Sequence, residues 1–542
     1  MKEYKLDVQS EKAPLDKYWE LCVGSCHATT ALRSDWQEML QRCRQETGFR
    51  YVRFHGLFDD DMSVAHTTMF GGDILLSFTN VDKLFDFLLS IGMKPFVELG
   101  FMPTVFASGK TTVFHYKGNT SPPKDYGQWA WFIGEFARHL VDRYGLGEVR
   151  QWFFEVWNEP NLGGPGSPLG FWAADQAEYF KLYKTTAQAL KQADPLLRVG
   201  GPATSNNAWI PEFISFCRKN NAPLDFISTH QYPTDVVLGF GVEDSANIAA
   251  ANLAGAHAAG AKLKNPLGDL SKPEKMAELM ANPDARKKLA EAYAAFQERL
   301  WEGVDRGVLT GMTRRAVAQA EGLPVYYTEW SSLAGLPSDG PFGASFIAKT
   351  VLDGRDLVAG YAFWTFCDVF EEQGQDSRAF SGQYGLMTQH GIPKAPYRAF
   401  QLLHELGGAI YSRSYAEGTV DIYAVDKPET GALQLLLVNH HSLLHPIETE
   451  TVRLNLTGRR HGGPCVKAEV QRIDDEHANA LAVWEKMGSP EYLSKAEILS
   501  LQGASELVRQ DQPFEQSEGE LTMTVTLPPM GIALVTLYWG CP

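Results

Sequence analysis

The chain of 542 residues has few cysteines, and it lacks both a long apolar run and an excess of basic residues. Its seven cysteines are odd in number and widely spaced, which is typical of free thiols in a reducing compartment rather than of a disulfide framework. No apolar run approaches the ~18 residues that a membrane-spanning helix needs. The first ten residues also lack the apolar core of a signal peptide. We therefore expect a cytoplasmic protein.

The charge balance excludes two classes of partner. Lys and Arg number 49 and Asp and Glu number 65, giving a net charge of −16. Such a chain repels phosphate backbones and anionic lipid headgroups, so we expect neither a nucleic-acid nor a membrane partner. Aromatic residues make up 12% of the chain. Large flat side chains can fill a core, but they can also line a pocket for a neutral ligand.

Short apolar runs alternate eight times with longer amphipathic stretches. These runs lie at residues 21–26, 51–56, 94–100, 152–160, 198–202, 226–232, 324–330 and 361–367. Buried strands alternating with helices in this way predict an α/β fold, specifically a (β/α)8 TIM barrel. A doubly wound open sheet would usually carry a glycine-rich phosphate turn after its first strand, and the sequence has none there.

Beyond about residue 410 the pattern changes to alternating strands with few helix signals. The predicted strands are 419–425, 433–440, 449–456, 466–473, 521–527 and 532–539. They indicate a C-terminal β-sandwich accessory domain.

Three segments follow from these patterns. We expect an N-terminal segment (1–15) that packs on the sandwich, a catalytic barrel (16–409) and the sandwich domain (410–542). The barrel contains an alanine-rich helical insert at about 235–311, after the sixth strand. The insert is either a packed appendage or a contributor to substrate access or subunit contact.

Two glutamates stand at the ends of separate predicted strands. Asn158 and Glu159 end the fourth strand, and Glu329 ends the seventh. Active sites of (β/α)8 barrels lie at the carboxyl ends of the strands, so both carboxylates should face one pocket. Such a pair, ~5–5.5 Å apart, suits a retaining glycosidase. The alternative is that both are structural ion-pair carboxylates.

Other polar or aromatic residues lie at the same predicted rim: His55, Glu98, His230, Tyr232, Trp364 and the pair Glu371-Glu372. Trp364 is either barrel core or a surface on which a sugar ring stacks. Asp59-Asp60-Asp61 could suggest a cation site, but a solvated loop fits better. Cys22 and Cys26 have no further Cys or His pair at ligand spacing. We therefore predict no metal site.

Several motifs together resemble glycoside hydrolase family 39, a retaining family of clan A. They are Leu21-Cys-Val-Gly-Ser, Gly48-Phe-Arg-Tyr-Val-Arg-Phe-His-Gly, Lys94-Pro-Phe-Val-Glu-Leu, Phe154-Glu-Val-Trp-Asn-Glu-Pro-Asn-Leu, Ser228-Thr-His-Gln-Tyr, Thr328-Glu-Trp, Phe363-Trp-Thr-Phe-Cys-Asp-Val-Phe-Glu-Glu and Val483-Trp-Glu-Lys-Met-Gly. The chain is most similar to the bacterial β-D-xylosidases of that family.

The resemblance implies a role for each matched residue. Glu159 would be the acid/base and Glu329 the nucleophile. The implied sugar contacts are His55, Phe114, Asn158, His230, Tyr232, Trp364 and Glu371. A general acid must hold its proton, and the negative charge of a nearby Glu329 would favour that. No metal or organic cofactor is implied.

The expected function is exo-acting hydrolysis, with retention, that releases terminal xylose from short β-linked xylo-oligosaccharides or xylosides. Alternatives are the same machinery on an α-L-arabinofuranoside or an α-L-iduronide, or a non-catalytic carbohydrate-binding barrel. A uronic acid would call for a cationic clamp. Arg53 lies two residues deeper than His55 on the same strand face, a better position for contacting Glu329 than a sugar.

Two features depart from the family pattern. The alanine-rich insert lengthens the chain between the sixth and seventh strands, and residues 163–170 form an apparent insertion directly after Glu159. Both lie where the leaving group should bind, so the aglycone preference could differ. The resemblance also makes a homo-oligomer plausible.

Overall fold

A computed structural model describes residues 2–165, 170–233, 281–285, 287, 288, 291, 305–332, 336–412, 414–458, 463–517 and 519–540. The helical insert predicted at about 235–311 lies largely outside these residues. Part of the predicted insertion at 163–170 does as well.

Eight parallel strands close into a barrel in chain order. These strands, β1 to β8, are Cys22–His27, Tyr51–His55, Lys94–Glu98, Phe153–Glu155, Arg198–Thr204, Phe226–Gln231, Val325–Trp330 and Gly360–Phe363. The helices that follow them, α1 to α8, are Ser34–Thr47, Thr79–Ser90, Tyr126–Tyr144, Gln176–Ala193, Ile210–Asn220, Val308–Gln319, Pro341–Asp353 and Ala395–Glu405. The predicted (β/α)8 barrel is confirmed. Strand β8 ends at Phe363, so Trp364 follows the strand instead of lying within it.

The inward-facing side chains of the barrel form layers. Phe96, Phe153 and Phe226 fill the amino-terminal end, with the rings of Phe96 and Phe153 stacked at 4.8 Å. Successive side chains of a strand point to opposite faces, so residues two positions further along also point inward. Those residues include Glu98 and Glu155, both fully buried. An aromatic plug therefore lies beneath a charged layer, and the charged layer lies beneath the carboxyl-terminal mouth.

Two further sheets pack face to face as a sandwich. The smaller sheet contains, in order, Lys2–Asp7, Glu450–Thr457, Glu520–Leu527 and Glu515–Ser517. The larger contains, in order, Lys12–Pro14, Ala409–Tyr411, Val420–Lys427, Ala432–Asn439, Ile532–Trp539, Cys465–Ile473 and Gln510–Asp511, with Tyr415–Glu417 paired beside Val420–Lys427. Apolar residues of both sheets, such as Leu454 and Leu435, share one core. The sandwich is confirmed, whereas the division into residues 1–15, 16–409 and 410–542 stays a prediction.

The C-terminal part also contains two helices that the sequence analysis did not predict, Ala480–Lys486 and Lys495–Ala504. Trp484 of the first helix lies in an apolar cluster with Phe380 of the barrel. The second begins with a capping box in which the Ser494 side chain accepts a hydrogen bond from the Glu497 backbone N–H. That spacing is a sequence signal for a helix start.

A buried ion cluster, the Lys394 triad, holds together the loops that follow β7 and β8. Lys394 Nζ lies 2.7 Å from Asp339 Oδ1 and 2.6 Å from Asp368 Oδ2. All three side chains are almost completely buried. Both carboxylates also accept backbone N–H groups, from Gly382 and Gly385. The triad therefore fixes the long loop that follows β8 against the loop that follows β7.

The described residues bear on two expectations from composition, free cysteines and the absence of a membrane-spanning helix. Six cysteines in the described residues are buried and unpaired. No helix in the described part of the chain is both long and apolar enough to cross a membrane.

Candidate active site

Arg53 on β2 organises the charged layer below the mouth. It is fully buried, and its Nε lies 2.5 Å from Glu155 Oε2. Its Nη1 lies 2.7 Å from Glu329 Oε1, and its Nη2 lies 2.9 Å from both Asn158 Oδ1 and Glu98 Oε2. Every nitrogen of the guanidinium therefore has an acidic or amide oxygen partner, as a buried cation requires.

Glu329, at the end of β7, is surrounded by donors. Tyr232 Oη donates a hydrogen bond to its Oε2 at 2.9 Å, and Arg53 contacts its Oε1. Burial raises the pKa of Glu329, while the charge of Arg53, the neighbouring His55 and the hydrogen bond from Tyr232 oppose that rise. These donors favour the ionised carboxylate, which is the form that can act as a nucleophile.

Glu159 lies on the other side of the mouth, with its Oε1 3.0 Å from His230 Nδ1. Thr328 Oγ1 donates to Glu155 Oε1 at 2.6 Å, so its oxygen accepts from His230 Nε2 at 3.1 Å. Burial lowers the pKa of His230 well below its usual value, and the ring is neutral. Its proton is therefore on Nε2, and Nδ1 is an acceptor. A hydrogen bond between Nδ1 and Glu159 therefore requires the proton to be on the carboxyl of Glu159.

The backbone that carries Glu159 is strained. Trp157 has φ of 74° and Glu159 has φ of 41°, in the left-handed region that residues other than glycine rarely adopt. The Glu159 N–H donates to Ala203 O at 2.8 Å, and Trp157 Nε1 donates to Phe171 O at 2.7 Å. Such strain persists where surrounding contacts hold it, and it occurs mainly at functional sites.

The two glutamates face each other closely. One carboxylate oxygen of Glu159 and one of Glu329 lie within 4.8 Å of one another. Carboxyl groups of retaining glycosidases are about 5–5.5 Å apart, whereas those of inverting enzymes are about 6.5–9.5 Å apart. The separation suits direct attack by one carboxylate on a sugar carbon.

A cavity of about 260 Å³ opens above these groups. Seven of its lining residues are among the predicted site residues: His55, Phe114, Asn158, Glu159, Tyr232, Glu329 and Trp364. The other six were not among the implied sugar contacts, although Glu372 was placed at the predicted rim: Leu162, Phe171, Ser205, Asn206, Glu372 and Tyr384. Carboxylate, amide and aromatic side chains together suit a ligand with hydroxyl groups and apolar ring faces.

Two predicted residues do not line the cavity. His230 is fully buried behind Glu159, which it contacts. Glu371 points away, and its Oε2 lies 3.7 Å from His27 Nδ1. Its neighbour Glu372 lines the cavity instead. Glu371 begins a turn that the hydrogen bond from the Gly374 N–H to Glu371 O closes at 3.2 Å, so strand periodicity does not determine which of the two side chains faces the cavity.

The remaining lining residues lie in loops. Leu162 and Phe171 follow β4, Ser205 and Asn206 follow β5, and Tyr384 lies in the long connection after β8. Strand periodicity says nothing about loop conformation. The only sequence signal for most of them is their place after a barrel strand, where such sites form.

Two groups of described residues bring histidine and acidic donor atoms within 4.8 Å of one another: Glu159, His230 and Glu329, and His27, Asp59 and Asp61. The first is the facing pair described above. In the second, His27 Nε2 lies 3.2 Å from Asp59 Oδ2 and 3.5 Å from Asp61 Oδ2. Burial would lower the pKa of His27, but these acidic neighbours raise it to about 11. The imidazole is thus itself the cation of this cluster. Because Asp59 is 4% exposed, the prediction of a solvated loop was wrong at that residue.

The model of the glycosyl hydrolases family 39 matches residues 2–252 and 285–522. The chain belongs to glycosyl hydrolase family 39. A β-xylosidase from Caldicellulosiruptor saccharolyticus is 43% identical over 97% of this chain and 96% of its own length. A β-xylosidase from Geobacillus stearothermophilus is 31% identical over 96% of this chain and 92% of its own length.

A solved β-xylosidase structure also resembles nearly the whole fold. The monomeric β-xylosidase from Caulobacter crescentus CB15 superposes with a TM-score of 0.76, at 30% identity, over 99% of each chain.

Proposed function

We propose that this family 39 enzyme is an exo-acting retaining β-xylosidase with Glu329 as nucleophile and Glu159 as acid/base. The close approach of these two carboxylates across the cavity is the observation that carries the proposal. The names of the two full-length relatives support the choice of glycone.

In the first step, Glu329 attacks the anomeric carbon, and the bond from that carbon to the leaving oxygen breaks. Glu159 gives its proton to that oxygen, and a glycosyl ester of Glu329 forms. In the second step, Glu159 takes a proton from water, the water oxygen attacks the anomeric carbon, and the ester bond to Glu329 breaks. Two inversions give net retention.

The neighbouring residues stabilise both steps. Tyr232 and Arg53 hold Glu329 ionised before attack. The hydrogen bond from Glu159 to His230 Nδ1 keeps the acid protonated until the leaving oxygen takes the proton. Asn158, held by Arg53, faces the cavity and suits a hydrogen bond to the sugar 2-hydroxyl. Such a bond strengthens in the transition state.

A neutral sugar suits the cavity better than a uronic acid. None of the lining residues in the described part of the chain is Lys or Arg. Arg53 beneath the cavity already binds Glu98, Glu155, Glu329 and Asn158. A sugar carboxylate would therefore lack the cation that its desolvation requires. For exo action, a cavity that is lined by the ends of seven of the eight strands and the loops after them suits one terminal residue of a chain.

A panel of 4-nitrophenyl glycosides tests the glycone. We expect turnover of the β-D-xyloside and little of the α-L-arabinofuranoside, the α-L-iduronide or the β-D-glucoside. Preference for another member would reassign the glycone, and turnover of none would favour a carbohydrate-binding barrel.

Azide tests the two roles separately. With Glu159→Ala, azide can attack the glycosyl ester, so rescue should yield the β-glycosyl azide. With Glu329→Ala, azide attacks the substrate directly, and the product should be the α-glycosyl azide. The opposite pairing of variant and anomer would exchange the two roles.

The cellular location and the oligomeric state are also proposals. The six buried, unpaired cysteines suit a reducing cytoplasm. A homo-oligomer stays a prediction, since the Caulobacter crescentus relative is described as monomeric. Light scattering during size-exclusion chromatography would determine the mass of the assembly.

A further inference from the structure

A buried charge cluster lies behind one wall of the cavity. We call it the His27 cluster, and its members are His27, Asp59, Asp61, Tyr116 and Glu371. His27 ends β1, the two aspartates follow β2, Tyr116 follows β3 and Glu371 follows β8, four strands that are consecutive around the barrel. None of these five residues lines the cavity. The cluster therefore joins four loops of the rim without forming the surface of the site.

His27 is the cation of the cluster, and its ring is 1% exposed. Nε2 faces Asp59 and Asp61, and Nδ1 lies 3.7 Å from Glu371 Oε2. The ring of Tyr116 stacks on the imidazole, with centroids 3.7 Å apart and planes 7° apart. A protonated ring is attracted both to carboxylates and to an aromatic face. His27 in turn holds the pKa of Glu371 below its usual value, so both partners are charged.

The chain leaves room for these contacts at Gly56, directly after β2. Gly56 has φ of 68°, a conformation that favours glycine. A Cβ at this position would overlap Asp59 Oδ2 and would lie 2.8 Å from His27 Cδ2. The close approach of the imidazole to the loop after β2 therefore depends on a residue without a side chain.

The segment after β8 connects the cluster to the cavity. The Glu371 N–H donates to Cys26 Sγ at 3.3 Å, while the Glu371 side chain faces His27, the next residue of β1. Glu372 follows, and its carbonyl accepts a hydrogen bond from the His115 N–H at 2.8 Å. The side chain of Glu372 lines the cavity. Glu371 is thus held against β1 by its backbone and its side chain, and this leaves Glu372 on the cavity side.

We propose that His27 is a positioning residue for Glu372. It binds Glu371 behind the wall, and this contact directs the carboxylate of Glu372 to the sugar. The inference rests on the proposed function, because it takes the ligand of the cavity to be a sugar. His27 itself touches neither the sugar nor the reacting atoms. Without its charge the carboxylates of the cluster would repel one another, and Glu371 would move away from β1 together with Glu372.

The first test compares kcat/KM of wild type, His27→Gln and His27→Gln combined with Glu371→Gln on an aryl β-xyloside. We expect His27→Gln to lower kcat/KM about tenfold, since a displaced Glu372 loses its hydrogen bond to the sugar. Glu371→Gln removes one of the repelling charges, so the combined variant should return to within about threefold of wild type. A role of His27 in folding alone would give no such recovery.

His139→Gln is the matched control. His139 Nε2 lies 2.7 Å from Asp82 Oδ1, so this variant also removes a contact between histidine and a carboxylate. The pair joins α2 to α3 and does not line the cavity. We expect the control to change kcat/KM less than about twofold.

The second test repeats His27→Gln in the Glu372→Gln background. If His27 acts through Glu372, the two losses are not additive, and His27→Gln should cost less than about threefold there. Calorimetry on each variant sets an assay temperature below every unfolding transition. Should His27→Gln not fold, Glu371→Ala replaces it in this test, because the Glu371 side chain is 30% exposed and alanine leaves Nδ1 of His27 without its partner.

The outcomes separate the positioning role from the proposed function. Equal losses with and without the Glu372 carboxylate, or no recovery in the combined variant, would overturn the positioning role alone. No turnover of the xyloside by wild type would overturn the proposed function together with it.

Discussion

In the proposed mechanism, the proton on Glu159 depends on Thr328, a residue that does not line the cavity. Thr328 Oγ1 donates to Glu155 and accepts from His230 Nε2, so it keeps His230 Nδ1 as an acceptor for the Glu159 proton. Thr328→Val has nearly the same shape but cannot accept from Nε2. The imidazole is then free to carry its proton on Nδ1 and to donate to Glu159, which favours the ionised carboxylate.

The expected shift in the pKa of Glu159 follows from the change of His230 Nδ1 from acceptor to donor. A hydrogen bond to a charged group contributes roughly 1.5–3 kcal/mol. Since 1.36 kcal/mol corresponds to one pH unit, proton loss from Glu159 should shift to lower pH by about 1–2 units. The acid must be protonated for glycosylation, so the alkaline limb of kcat/KM should move down by that amount. The acidic limb, which reports ionisation of Glu329, should stay where it is.

The assay is kcat/KM against pH for wild type, Thr328→Val and Thr328→Ser on an aryl xyloside. Thr328→Ser keeps the hydroxyl and should retain the wild-type alkaline limb. A uniform fall in rate with Thr328→Val and an unmoved limb would refute the reasoning. So would an equal shift in both variants, because the hydroxyl would then not be responsible.

Three other predictions concern separate groups. Tyr232→Phe should move the acidic limb of kcat/KM to higher pH by about 1–2 units, because Glu329 loses a donor that favours its ionised form; an unmoved limb would contradict this. Glu372→Gln should lower kcat/KM at least about tenfold and Glu371→Gln less than about threefold, and the reverse order would restore Glu371 as the sugar contact. Lys394→Met should destabilise the fold by about 3–5 kcal/mol, since it leaves two buried carboxylates unpaired. Their folded-state pKa values are raised by burial, so calorimetry should find the deficit smaller at pH 5 than at pH 8, and equal deficits would count against it.

The barrel and the pair of glutamates that face its cavity follow from sequence pattern because their causes are local. Buried parallel strands produce apolar runs, and the rule that barrel sites lie at strand ends selects Glu159 and Glu329. The two-residue period of a strand also puts Arg53 below His55 on the inward face.

The rest depends on contacts that no pattern encodes. The exchange of Glu371 for Glu372 is a one-residue difference in an irregular segment, where no periodicity identifies the inward side chain. The turn that places Ser205 and Asn206 at the cavity depends on left-handed backbone conformations, which hydrogen bonds to Asn161 and Gln231 hold in place. The tautomer of His230 depends on the donor role of Thr328 and so on geometry from three strands.

The most direct test of the central claim is to trap the glycosyl ester. A 2-deoxy-2-fluoro-β-D-xyloside with an activated leaving group should inactivate the enzyme with time, because the fluorine slows hydrolysis of the ester more than its formation. Peptide mapping by mass spectrometry should then find the sugar attached to Glu329, and Glu329→Gln should remain unlabelled. A label on another carboxylate, or turnover with no covalent adduct and α-xylose as the first product, would contradict the assignment.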